Sequence, residues 1–236
     1  YKELSADSDT TTLSDVYFDG QYIAGLGGND DITGSIRSEI IDGGAGQDTL
    51  RGGAGDDQFI INANSTQDTI DGGGHRVLAA EGITDTNNAT SGTLVGLGDS
   101  LKLQVSTDIT GLNFTGIESL VGASQSIVAT VTADQFNSLL KFDGLSVKIQ
   151  DGASVTLGNK EFLNGAQIVA SGVTVDAGNA LDNAITFSGG NNTYTGGTAK
   201  DVVVAGIGND TISTGAGADK VTDTGGTNTI STGAGD

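Results

Sequence analysis

The sequence has no cysteine, no proline, no methionine and no tryptophan among its 236 residues. Without cysteine, no disulfide holds the fold and no thiolate holds a soft metal. Proline removes a ladder donor and is kept out of central strands. An average chain of this length would carry about a dozen, at roughly 5% usage. Their absence suits a molecule made almost wholly of paired strands and tight turns. With no methionine anywhere, the chain is expected to be a segment of something larger, and Ser231-Thr232-Gly233-Ala234-Gly235-Asp236 reads as the inside of a repeat. Positive charge is scarce too, with 10 Lys and Arg against 30 Asp and Glu, net −20. Such a balance repels phosphate, which argues against nucleic acid and anionic membrane surfaces as partners and suits a cation binder. No apolar run reaches the length of a membrane span, and no signal peptide is visible. The lone His75 stands beside Arg76 with no ligand partner in sequence and reads as ordinary surface.

Glycine, by contrast, occurs 39 times, and it recurs with a period. Segments nine residues long start at Gly25, Gly34, Gly43 and Gly52, and apolar residues keep the same step at Ile23, Ile32, Ile41, Leu50 and Phe59. Acids stand two places before the last four, at Asp30, Glu39, Asp48 and Asp57. A short unit at a fixed period signals stacking rather than a compact globule, and argues against the disordered linker that glycine content alone would suggest. The glycine half of each unit turns sharply, and the other half is a strand of about three residues with one apolar side chain pointing inward. One unit cannot bury that side chain alone, so units stack.

Two units make one coil, so turns on one side lie 18 residues apart, which sets Asp30 over Asp48 and Glu39 over Asp57. Carboxylates stacked at about 5 Å repel by roughly 1–3 kcal/mol per pair at surface-like dielectric, so a cation is expected between them. Calcium fits, since it takes six to eight hard oxygens and accepts the carbonyls that open glycine turns expose. Zinc would want His or Cys.

The two units from Gly43 to Ile60, Gly-Gly-Ala-Gly-Gln-Asp-Thr-Leu-Arg and Gly-Gly-Ala-Gly-Asp-Asp-Gln-Phe-Ile, resemble the nonapeptide of the RTX (repeats-in-toxin) family, G-G-x-G-x-D-x-U-x with U apolar. The unit from Gly25 resembles it with Leu26 at the second glycine, and the unit from Gly34 departs further, with Ile36, Arg37 and Ser38 in its turn and Glu39 for Asp. The resemblance implies parallel β-rolls with several calcium ions held between turns. In this block the expected ion-binding positions are Gly25, Gly28, Asp30, Glu39, Gly43, Gly46, Asp48, Gly52, Gly55 and Asp57. Asp68 joins them, because Asp68-Thr69-Ile70 restarts the pattern two residues late and Asp71-Gly72-Gly73-Gly74 offers one more turn.

The step returns at Ile185, Tyr194, Val203, Ile212, Val221 and Ile230, with Asn183, Asn192, Asp201, Asp210, Asp219 and Asn228 two places earlier. The best units run from Ala205 to Ile212 and from Thr214 to Val221; both resemble the motif without its first glycine. Expected ion-binding positions here are Asp201, Gly206, Gly208, Asp210, Gly215, Gly217 and Asp219, with Asp201 over Asp219 as the best pair. Asparagine is neutral, so this block is expected to bind fewer ions, more weakly. Between the blocks lie β-rich runs at Leu101–Val105, Ser126–Val131, Val147–Ile149, Val155–Leu157 and Val173–Val175. Thr132-Ala133-Asp134-Gln135 is a capping box for a helix of about two turns carrying Phe136, Leu139 and Leu140. This layout resembles the β-helical stretches between nonapeptide blocks in very large secreted RTX proteins, including bacterial surface-layer proteins.

The expectation is therefore an all-β parallel β-roll or β-helix solenoid: a first roll over 1–75, an irregular β-helical connection over 76–177 with one short helix, and a second roll over 178–236. There is no Gly-x-Ser-x-Gly elbow, and the repeat accounts for the spacing of the carboxylates, so no catalytic residue is assigned. The resemblance implies a calcium-binding structural segment on a bacterial cell surface, exported by a type I pathway, with self-association or contact to other surface components. The alternatives are an adhesin, disfavoured by 5% aromatics and no tryptophan, and the secretion or folding module of an exported enzyme or toxin.

Overall fold

A three-residue strand between two glycine turns can bury only its central side chain. Asp31–Thr33 shows this: Ile32 is wholly buried between two partly exposed neighbours. The computed structural model describes residues 1–13, 19–65, 67–74, 98–150, 152–158, 160–164, 166–178 and 183–235. His75 and its reading as surface lie outside them.

The chain divides into two units, Tyr1–Ile127 and Val128–Asp236. In the first, the strands are β1 (Lys2–Glu3), β2 (Thr10–Thr12), β3 (Gln21–Ala24), β4 (Asp31–Thr33), β5 (Glu39–Asp42), β6 (Thr49–Ala54), β7 (Gln58–Ile61), β8 (Thr69–Gly74), β9 (Ser100–Leu103), β10 (Thr107–Asp108), β11 (Asn113–Thr115) and β12 (Ser119–Gly122). Alternate strands enter two parallel sheets, β1-β3-β5-β7-β9-β12 and β2-β4-β6-β8-β11. The single apolar series of the sequence thus splits into two facing files. Ile23, Ile41, Phe59, Leu101 and Leu120 are in register on one sheet, and Ile32, Leu50 and Ile70 on the other. All eight are at most 1% exposed.

In the second unit, β13 (Val128–Val131) leads into α1 (Ala133–Ser138), followed by β14 (Lys141–Asp143), β15 (Ser146–Ile149), β16 (Ser154–Thr156), β17 (Glu161–Leu163), β18 (Gln167–Ser171) and β19 (Thr174–Asp176). The remaining strands are β20 (Asn183–Gly189), β21 (Thr193–Thr195), β22 (Asp201–Ile207), β23 (Thr211–Ser213), β24 (Lys220–Gly225) and β25 (Thr229–Ser231). The sheets β13-β15-β18-β20-β22-β24 and β16-β19-β21-β23-β25 are again parallel. Val147, Ile168, Ile185 and Val203 form one buried file, and Val155, Val175, Tyr194 and Ile212 the other. Each unit is an all-β parallel β-solenoid, as expected. The five β-rich runs of the middle emerge as β9, β13, β15, β16 and β19.

The one helix has its capping box complete: Gln135 N–H donates to the Thr132 hydroxyl, and Thr132 N–H to the Gln135 side chain. It runs six residues, less than the two turns expected, because the chain turns extended at Leu139. Lys160 from the next coil donates to the Asn137 and Leu139 carbonyl oxygens, satisfying the helix end. Phe136 and Leu139 are buried and Leu140 is half-buried. Phe136 stacks on Phe142, and Phe142 on Phe162, at 5.0 and 5.1 Å between ring centres.

Candidate metal-binding columns

Each coil has two corners, and in the first unit acids stack at both, at the mouths of successive strands. One column is Asp30, Asp48 and Asp68. Asp9 N–H donates to Asp30 Oδ1 at 2.8 Å, Asp30 N–H to Asp48 Oδ1 at 2.9 Å and Asp48 N–H to Asp68 Oδ1 at 3.0 Å. The second column is Glu39, Asp57, Asp99 and Glu118. Glu39 N–H donates to Asp57 Oδ1 at 2.7 Å, Asp57 N–H to Asp99 Oδ1 at 2.7 Å and Asp99 N–H to Glu118 Oε2 at 3.0 Å. Asp30, Glu39, Asp48, Asp57, Asp68 and Asp99 are each at most 2% exposed.

In Asp30, Asp48, Asp57, Asp68 and Asp99 one oxygen holds the N–H of the coil before it, whereas both oxygens of Glu39 accept from Ser35 of its own turn. In Asp30, Asp48 and Asp57 the other oxygen has no such use. Oδ2 of Asp30, Asp48 and Asp57 is buried and accepts no hydrogen bond. A buried charged oxygen left so costs its full desolvation, and native folds rarely tolerate that without a ligand. These oxygens point at glycine. A methyl group at Gly25 would overlap Asp30 Oδ2 and the Gly43 carbonyl oxygen; one at Gly43 would overlap Asp48 Oδ2; one at Gly52 would overlap Asp57 Oδ2 and crowd the Gly72 carbonyl oxygen. An orphaned carboxylate oxygen and, at Gly25 and Gly52, a carbonyl oxygen of the following coil thus share a space that only glycine leaves open. Gly28, Gly46 and Gly55 serve differently, turning the corner at φ +95°, +145° and +133°. At the second position of the first unit the turn is made by Leu26 itself, at φ +72°.

Burial raises the carboxyl pKa of Asp30, Glu39 and Asp48 above the usual carboxylate range. It pushes Asp57 up to about 8 and Asp68 up to about 7, with neighbouring acids adding to the rise. Protein groups alone therefore do not neutralise these corners. The donor set is all oxygen. No three His, Cys, Asp or Glu side chains gather at one point among the described residues, so an ion held here would have to complete its shell with backbone carbonyls. That fits calcium and not zinc, which wants nitrogen or sulfur.

The second unit repeats the plan with amides at the ends. Asp201 N–H donates to Asp219 Oδ1 at 2.9 Å, and Asn183 Nδ2 donates to Asp201 Oδ1 at 2.8 Å. Across the coil, Asn192 N–H donates to Asp210 Oδ1 at 2.8 Å and Asp210 N–H to Asn228 Oδ1 at 2.7 Å. Oδ2 of Asp210 and Asp219 is buried without a hydrogen bond. Asn192 does more than stack. Its Nδ2 donates to the Gly189 and Gly190 carbonyl oxygens at 3.1 and 2.9 Å and to Asp210 Oδ1 at 2.8 Å, while its Oδ1 accepts from Val173 N–H at 3.1 Å. The amide nitrogen stands among three oxygens, where a cation would otherwise balance them. Gly208, Gly215 and Gly217 turn at positive φ, whereas Gly206 lies within β22.

Four residues of these columns were not assigned to an ion from the sequence pattern, although Gly72 was read as part of a turn. Gly196 stands five places before Asp201, and a methyl there would overlap Asp201 Oδ2 and the Thr214 carbonyl oxygen. Gly72, Asp99 and Glu118 belong to the second column of the first unit. The acid-x-apolar triplets Asp99-Ser100-Leu101 and Glu118-Ser119-Leu120 were the available signal.

A parallel β-solenoid whose repeat blocks stack buried carboxylates against glycine turns has the architecture of an RTX-type β-roll. The family model of the RTX calcium-binding nonapeptide repeat matches the chain at residues 33–60 and 188–221, in four copies. The chain thus carries RTX calcium-binding nonapeptide repeats over those two stretches. Searches of curated proteins and of solved structures returned no match.

Proposed function

We propose that this chain is a structural segment of a bacterial cell-surface protein of surface-layer type, secreted by a type I pathway and folded and stiffened by calcium outside the cell. In this reading Asp30, Asp48 and Asp68, Glu39 and Asp57, and Asp201 and Asp219 supply the charged ligands, and turn carbonyls the rest. The observation that carries it is the orphaned Oδ2 of Asp30, Asp48 and Asp57, buried against glycine with no protein donor to satisfy it. Calcium supplies the missing positive charge, and only then can strands carrying a net −20 pack closely. Extracellular calcium modules bind near ~10⁻⁴–10⁻³ M, so such a segment stays open inside a cell and closes on export. Among the described residues no helix is long and apolar enough to cross a membrane.

The test strips calcium from cells carrying the parent protein. Shedding of an ordered layer supports the structural role, and re-addition should restore it. If the protein stays and the cells lose adhesion to a host or sugar surface, the role is that of an adhesin. If a secreted enzyme activity is lost instead, the segment is a secretion or folding module.

A further inference from the structure

The nonapeptide match in the first unit ends at residue 60, but the glycine and acid columns do not. Gly53 and Ala54 pair in register with Gly73 and Gly74 on the next coil. Gly73 turns at φ +92°, close to the +103° of Gly53, and Gly55 N–H donates to the Gly74 carbonyl oxygen at 2.9 Å. The chain rejoins the described structure at Gly98, and Ser100 falls in register on Gln58. Asp57 N–H then donates to Asp99 Oδ1 at 2.7 Å, the distance of the Glu39–Asp57 bond one coil earlier.

The space at this level is built like those between the nonapeptides. Asp57 is 1% exposed, and its Oδ2, which accepts no hydrogen bond, faces the open side of Gly52. The Gly72 carbonyl oxygen lies 2.5 Å from where a methyl group on Gly52 would stand. Asp99, 0% exposed, brings a second buried carboxylate to the same corner. Two buried acids one strand spacing apart, about 5 Å, repel each other strongly unless a cation lies between them.

We infer that the ion column of the first unit runs one level past its last nonapeptide, with Asp57, the Gly72 carbonyl oxygen and Asp99 forming a calcium site. This rests on the reading that the columns take calcium. Gly72 and Asp99 belong to successive strands of different sheets, β8 and the coil entering β9, so the ion ties both to one corner of the roll.

Two measurements on the whole chain test this. Crystals of the wild-type protein grown in calcium, with ions located by anomalous scattering, should show one between Asp57 and Asp99. Asp99→Asn, which keeps an oxygen for the Asp57 N–H and removes the charge, should bind one calcium fewer per chain by atomic emission, while Asp143→Asn keeps the full number. Ions found at the Asp30–Asp48 level but none between Asp57 and Asp99 overturn this inference and leave the calcium reading standing. Ions at neither place overturn both. The diffraction result decides the matter even if Asp99→Asn fails to fold.

Discussion

Replacing Asp57 by asparagine should stabilise the calcium-free protein and leave a smaller gain once calcium is bound. The amide keeps an oxygen to accept the Glu39 N–H, now made at 2.7 Å, so the ladder bond survives. What is lost is the charge. In the ion-free protein that charge is a burden, since burial holds the carboxyl near 8 against an ordinary value of 3.8. At pH 7 such a shift costs the folded state about 3–5 kcal/mol relative to a solvated carboxylate, and Asp57→Asn removes that cost. With calcium bound the carboxylate is a ligand. An ion of Kd ~10⁻⁴–10⁻³ M at about 10 mM calcium contributes roughly 1.4–2.7 kcal/mol, and the variant forfeits most of this. Urea unfolding at calcium levels from chelated to about 10 mM should therefore give converging curves, the variant's lead of about 3–5 kcal/mol shrinking by roughly 1.4–2.7 kcal/mol. The variant starts above wild type and rises less steeply. Parallel curves, with the variant lower at every calcium concentration, would refute the argument and make Asp57 an ordinary structural acid.

Acid should act on the ion-free protein in the same sense. Asp57 and Asp68 have folded pKa values of about 8 and about 7, above their unfolded values, so the folded state binds more protons between roughly pH 4 and 8. Stability of chelated protein should rise as pH falls through that window, whereas calcium-loaded protein should lose stability as protons displace the ion; thermal melts at fixed calcium compare the two. Asn192→Asp exchanges an amide that already satisfies Gly189 and Gly190 for a charge facing Asp210. It should weaken the chelated fold and add one bound calcium, and an unchanged ion count would show that the corner is closed to ions. Leu26→Gly relieves a left-handed residue at φ +72° and should stabilise by about 1 kcal/mol in urea unfolding. Asp48→Ala should cost more calcium than Asn228→Ala, since Asp48 has acids at the coil on either side, Asp30 and Asp68; equal losses would show that asparagine serves the ion as well as aspartate does.

Where every corner keeps its length, the sequence alone determined the packing. A nine-residue half-coil leaves one solution, so Asp30 falls on Asp48, Glu39 on Asp57 and Asp201 on Asp219, and the apolar step names the core. The physical reason is that a strand one residue out of step would turn its only apolar side chain to water. The capping box at Thr132 was legible because its bonds are local. Where a corner changes length, only the tertiary structure decided. Asp48 meets Asp68 after 20 residues, and Asp57 meets Asp99 after 42. A solenoid closes its ladder across an insertion of nearly any length, since ladder bonds and the buried file fix the register and the loop adds only slowly growing entropy. Nor could spacing reveal that Asn192 turns its amide nitrogen into three oxygens. That depends on where the Val173 N–H on a neighbouring coil holds the other end of the side chain.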